Sequence, residues 1–373
     1  MKPLVTLFGL FAAMIAPALG AERDVPTEAA VNRVIRPWIE KQQPPGVIVV
    51  VRQEGMTEFF PFGEANRERR VPVTPDSIFE LASVTKVFTT TSLAIEVERG
   101  QARLEDPVDR YWPQLGEGRD IRHVTLLQLA THTSSLPRVA LKHPGKTEMN
   151  QREVAQWVLQ WKAAEPPGTK YLYSNVAMGV LGEALAVHAK LPMLELWERQ
   201  FLHPLEMRST YFAIPNAAAE HFVQGYGAHG KPVPRAAVPG GWPAGGRLCS
   251  SGRDMGEFLT ANLGEAPERP VITRAMQFAQ KPQFEVSPQM TLGLAWQRGK
   301  LHGELLIDKN GGLDGTSTYI GMLPERHLGV VVMANRGKSK ATIAGRQLLA
   351  ALARLKETDE PPLPDAEFDA DEE

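Results

Sequence analysis

Ser83 and Lys86 are three residues apart in Leu81-Ala82-Ser83-Val84-Thr85-Lys86-Val87-Phe88. On a helix that spacing places a hydroxyl and an amine on one face of a turn. A serine hydroxyl is a weak nucleophile at neutral pH and needs a nearby group to take its proton. A lysine held out of water can be that group. The pair could therefore be a nucleophile-activation device. Serine and lysine are common residues, so the bare match also arises by chance.

Two further stretches carry residue types that fit acyl transfer. Pro166-Pro167-Gly168 forces a turn, and Tyr171-Leu172-Tyr173-Ser174-Asn175 follows. The Tyr173 phenol could relay a proton, and the Asn175 amide could hold a substrate amide. Taken alone, this stretch reads rather as a loop with a packed tyrosine and a helix-capping Ser174 or Asn175. Asp308-Lys309-Asn310-Gly311-Gly312 ends a predicted strand with a cation, an amide and two glycines. Glycine lets a ligand approach the backbone, and an N–H on a strand edge can face a developing oxyanion. Taken alone, it reads as a strand-to-turn junction with a solvated lysine.

Several elements must position these groups. Val31, Val34, Ile35, Trp38 and Ile39 recur at helical spacing after the capping-type Thr27. The β-branched run 46–52, the Glu54-Gly55 turn and Glu58-Phe59-Phe60 predict a hairpin. The Ser83 helix should run to about Glu98 and stop at Gly100. From there to about residue 275, helical segments alternate with Pro/Gly-rich loops. Strand patterns return at 291–297, 304–309, 316–322 and 328–334, followed by a helix over 340–355. Short late strands with short turns predict an antiparallel sheet. The expected fold is α/β (α+β): an antiparallel sheet flanked by terminal helices, plus a mostly helical lobe, with a cleft between them.

Composition agrees with a globular chain: 373 residues, 43% hydrophobic and 23% charged. Residues 357–373 hold nine acidic residues and no basic one, so the rest of the chain has a positive excess suited to an anionic small molecule. No basic run interleaved with aromatics suggests nucleic acid. Residues 1–20 read as a secretory signal peptide, with Lys2 before an apolar run from Leu4 to Ile15 and a small-x-small site at Ala18-Leu19-Gly20. No second apolar stretch is long enough to span a membrane. A periplasmic, unanchored, monomeric enzyme is expected. Cys249 is the single cysteine, which excludes an intramolecular disulfide.

The three motifs and their order resemble the serine β-lactamase and penicillin-binding protein superfamily, in which Ser-x-x-Lys and Lys-Thr-Gly are signatures. Tyr173-Ser174-Asn175 in the middle resembles the class C β-lactamase-like branch, with its D-alanyl-D-alanine carboxypeptidase and family VIII esterase relatives. The similarity extends to Val124–Pro137, Gly100–Trp112, Pro204–Met207 and Leu323–Arg326, and covers about residues 30–350.

The resemblance implies a β-lactamase/transpeptidase-like fold and a serine hydrolase without cofactor or metal. Ser83 would be the acylated nucleophile, and Lys86 and Tyr173 would move its proton. The N–H groups of Ser83 and Gly312 would form the oxyanion hole. Lys309, with Asn310 and Gly311 beside it, would take the substrate carboxylate, and Asn175 the acyl amide. The catalytic unit would span 21–357, with an α/β lobe from about 21–80 and 275–357 and a helical lobe from about 81–274. Residues 358–373 would form a disordered acidic tail.

Two departures stand out: Asn310 replaces the usual threonine, and Ala244-Gly245-Gly246 is more like the carboxypeptidase and esterase relatives. The expected function is β-lactam hydrolysis through acyl-Ser83. The alternatives are a D-alanyl-D-alanine carboxypeptidase, an esterase, or a slow-turnover penicillin-binding sensor or trap.

Other patterns fail on local grounds. Gly225-Tyr226-Gly227-Ala228-His229-Gly230 matches a dinucleotide fingerprint, but Pro232 and Pro234 prevent a helix from opening there, so a turn is expected. No Gly-x-Ser-x-Gly elbow is present, and the nine histidines show no metal-binding spacing.

Overall fold

The computed structural model describes residues 27–140, 150–235 and 242–356. The expected signal peptide and acidic tail lie outside the described residues. Nine antiparallel strands form the main sheet, in the order Val71–Pro72, Met56–Asn66, Gly46–Gln53, Leu328–Ala334, Thr316–Leu323, Glu304–Leu313, Gln297–Leu301, Met290–Leu292 and Phe284–Ser287. The first long hairpin therefore pairs with the last strand, with Val49 opposite Val332. Glu54 and Gly55 close that hairpin with φ of 53° and 75°, a two-residue turn whose twist suits the flanking strands.

Both faces of the central strands are buried, so side-chain alternation divides two cores. Val47, Val49, Val51, Val330 and Val332 face the terminal helices Thr27–Gln42 and Ala341–Leu352. Ile48, Val50, Val331 and Met333 join the larger core under the helical lobe. Trp38 Nε1 donates to the Ser339 carbonyl at 2.8 Å, tying one terminal helix to the start of the other.

Inside the lobe, Asn175–Ala189 is apolar on nearly all sides, as a helix at the centre of a core must be. The segment 101–275 also holds strand pairs that were not expected. Cys249–Ser251 joins Ile78–Glu80 to Thr210–Tyr211, and Gly225–Tyr226 pairs with Pro232–Val233 around the expected turn.

The predicted strand at 291–297 is broken into Met290–Leu292 and Gln297–Leu301. Between them the backbone bonds to the lobe instead of the ladder. Leu294 N–H donates to Ala279 O, Ala295 N–H to Ala130 O, and Thr90 Oγ1 to Leu294 O. The strand expected at 304–309 continues to Leu313, pairing Gly311 with Thr318 and Gly312 with Ser317. Its pairing with the neighbouring strand Gln297–Leu301 runs from Glu304 to Asp308.

Candidate active site

Ser83 sits in a 3₁₀ turn, Ala82–Val84, which runs directly into the helix Thr85–Glu98. Ala82 has φ of 48°, a strained left-handed value for a residue with a Cβ, immediately before Ser83. The surrounding bonds fix this geometry. Leu81 N–H donates to Leu248 O at 2.8 Å, Thr318 Oγ1 to Leu81 O at 2.8 Å, and Thr316 Oγ1 to Glu80 O at 3.0 Å. The sheet therefore holds the residues that precede Ser83.

Gly311 presses against the same turn. A Cβ there would lie 2.5 Å from Leu81 O and 2.9 Å from Ser83 N, so only glycine permits the strand edge to come this close.

Lys86 is fully buried and faces Ser83 as its spacing predicts. Its Nζ donates to Ser83 Oγ at 3.1 Å, to Asn175 Oδ1 at 2.7 Å and to the Gly245 carbonyl. Three acceptors match the three N–H bonds of an ammonium. Asn175 starts its helix after Ser174, whose Oγ accepts from Ala177 N–H and donates to Pro137 O. With Oδ1 on Lys86, the Asn175 NH₂ is the part that can address a ligand carbonyl.

Tyr173 is 5% exposed, with Lys86 Nζ 4.8 Å and Lys309 Nζ 5.2 Å from its ring centroid. Two ammoniums thus lie close to the ring, and nearby positive charge favours a phenolate over a phenol. The Arg138 guanidinium lies 5.3 Å from the same ring. Lys309 and Asn310 are both buried, on the strand stretch just past the last pair with Gln297–Leu301.

Ser83, Lys86, Tyr173, Asn175 and Lys309 thus converge, and Gly311 touches their backbone. Gly312 follows on the same edge. Two contributors were not singled out as site residues from the sequence. Gly245 enters through its carbonyl, which no residue type signals, although the Ala244-Gly245-Gly246 run marked the place. His132 packs on Tyr173 with centroids 4.6 Å apart, and its Nδ1 accepts from Ser174 N–H at 3.1 Å. Burial, and then the charges of Lys86 and Lys309, hold its pKa well below the ordinary histidine range.

This arrangement can acylate a serine, and comparison with known proteins agrees. The Beta-lactamase family model matches residues 31–354, so the chain belongs to the β-lactamase family. A β-lactamase of Pseudomonas fluorescens is 28% identical over 344 residues, covering 83% of this chain and 94% of that protein. One of Escherichia coli (strain K12) is 28% identical over 340 residues, covering 82% and 88%.

Among solved structures, a class C β-lactamase from Rhodobacter sphaeroides is 26% identical with a TM-score of 0.78, covering 87% of this chain and 99% of that one. A D-alanine carboxypeptidase from Burkholderia cenocepacia is 27% identical with a TM-score of 0.77 over the same shares.

Proposed function

We propose that the protein is a class C-like serine β-lactamase. The observation that carries this reading is the 3.1 Å contact between Ser83 Oγ and Lys86 Nζ, with Tyr173 buried between Lys86 and Lys309.

In the proposed reaction, Ser83 Oγ attacks the lactam carbonyl carbon and its proton passes to Tyr173 in its phenolate form, which the Lys86 ammonium stabilises. The developing oxyanion accepts hydrogen bonds from the N–H groups of Ser83 and Gly312. The C–N bond then breaks, and the relayed proton goes to the departing nitrogen, leaving an acyl-Ser83 ester. Water attacks that ester, with Tyr173 taking its proton beside the Lys86 ammonium, and Ser83 is released. Lys309 attracts the substrate carboxylate, assisted by the Asn310 amide. Asn175 donates to the acyl carbonyl, and Gly311 lets the substrate-binding edge pack directly on the Ser83 turn.

The catalytic unit spans about 21–357, with an α/β lobe (21–80 and 275–357) around a helical lobe (81–274). Residues 1–20 direct export to the periplasm, where the protein acts as a monomer, and 358–373 form an acidic tail. Among the described residues no single helix is long and apolar enough to cross a membrane.

A second reading, D-alanyl-D-alanine carboxypeptidase, is favoured by Ala244-Gly245-Gly246, whose Gly245 carbonyl receives Lys86. It is also favoured by the similarity to the Burkholderia cenocepacia carboxypeptidase.

Mixing the purified protein with a chromogenic cephalosporin, and separately with a D-alanyl-D-alanine peptide, separates the two. Steady lactam turnover supports the first reading. D-alanine release without lactam turnover replaces it with the second. A stable adduct without turnover identifies a receptor or trap.

A further inference from the structure

His132 has no role in the reaction proposed above, yet it is built around Tyr173. It follows the helix Leu126–Ala130, whose start is closed by a reciprocal Thr125–Gln128 capping box. Its φ is 58°, a left-handed value that histidine and asparagine adopt more readily than most residues. That conformation lets it grip the tyrosine loop at two points. The His132 carbonyl accepts Leu172 N–H at 2.8 Å, and its Nδ1 accepts Ser174 N–H at 3.1 Å. The two bonds flank Tyr173 on either side, and the imidazole lies against the phenol ring at 34° between planes.

An acceptor at Nδ1 places the ring proton on Nε2. Nε2 is buried and makes no hydrogen bond within the described structure. A phenylalanine would fill the same place without burying that donor. The polar ring is explained by what Nδ1 does, since phenylalanine offers no acceptor to Ser174 N–H.

We infer that His132 is a positioning residue for Tyr173: a neutral imidazole that fixes the phenol by holding the backbone on both sides of it. This rests on the reading of Tyr173 as the proton carrier. The charged groups that face His132 are Lys86 from the nucleophile helix and Lys309 from the sheet, and the Tyr171 and Tyr173 rings cover it. Both charges are positive, and the ring is 2% exposed. A proton on Nδ1 would remove the lone pair that Ser174 N–H uses, so the grip requires the neutral form.

His132→Phe keeps a flat ring and removes the acceptor. His132→Asn keeps an acceptor and the left-handed backbone. The readouts are the rate at which a fluorophosphonate probe labels Ser83, displacing fluoride and fixed to Ser83 by mass spectrometry, together with cephalosporin kcat and KM and the melting temperature. His132→Phe should slow labelling and kcat at least about tenfold while KM changes by less than about twofold, and His132→Asn should restore most of the rate. Labelling of His132→Phe at the wild-type rate would overturn the inference. So would equal losses in both variants that follow the loss of melting temperature.

Nitrogen-15 NMR of the wild-type ring gives a test that needs no variant to fold. His132 should be the neutral Nε2–H form from about pH 6 to 8; an imidazolium or an Nδ1–H form in that range would contradict it. Wild-type labelling without lactam turnover would refute only the β-lactam reading.

Discussion

The two halves of the site are held in different ways. Ser83 and the Lys309–Gly312 edge belong to the sheet and to the core beneath it, tied by Thr316, Thr318 and the close approach of Gly311 to Ser83 N. Tyr173 and Asn175 belong to a loop and a helix start. They are held by backbone bonds to His132 and Arg138 and by the Ser174 cap. A lesion that adds bulk to the first half must move packed backbone, so activity and stability should fall together. A lesion in the second can displace one proton-carrying group while the core stays intact.

The largest expected effect tests Ser83 as the proposed nucleophile. Ser83→Ala should lower turnover by about 10⁴-fold or more with little change in melting temperature, because only one oxygen is removed from a buried turn. Tyr173→Phe comes next. It keeps the ring between the two ammoniums and removes the hydroxyl, so kcat should fall about 10²- to 10³-fold with stability nearly unchanged. Pre-steady-state acylation rates and thermal melts check both.

Gly311→Ala should separate the halves. The added methyl collides with Leu81 O and crowds Ser83 N, so activity should fall while stability drops by roughly 2 kcal/mol. An active, fully stable Gly311→Ala protein would show that the sheet edge is not held as rigidly as described. Lys309→Ala should weaken carboxylate-bearing substrates about tenfold more than neutral esters. Equal losses would count against its assigned role.

The smallest effect is in pH. His132 is neutral in the folded protein with a depressed pKa, while the unfolded chain titrates near the usual value of about 6.5. Below that pH the unfolded state binds a proton that the folded state does not. Stability should therefore fall as pH drops, by at most about 1.4 kcal/mol per pH unit from this group. His132→Asn should flatten the wild-type curve below about pH 6.5; parallel curves would contradict the buried neutral imidazole.

The same division decides what the sequence makes legible. Ser83 with Lys86 is a local spacing, and Lys309-Asn310-Gly311-Gly312 is a strand end, so both can be read from neighbouring residues. The hairpin at 46–66 and the strand at 328–334 follow from β-branched runs. Gly245 could not be assigned in this way, since it offers only a carbonyl. The grip of His132 on Ser174 spans 42 positions in the chain. The strand expected at 291–297 breaks because Thr90, Ala130 and Ala279 take its backbone bonds, partners that no local pattern reveals. The sequence marks Asn175 only as a substrate contact, while its Oδ1 also receives Lys86, a link that only the folded chain brings about.

The central claim is that Ser83 is acylated and then freed by water. Quenched-flow mass spectrometry of the protein with a cephalosporin tests it directly. An adduct on the Ser83 peptide should form and decay at rates sufficient for steady turnover, and should be absent from Ser83→Ala. Lactam turnover with no Ser83 adduct, or turnover surviving in Ser83→Ala, would contradict it.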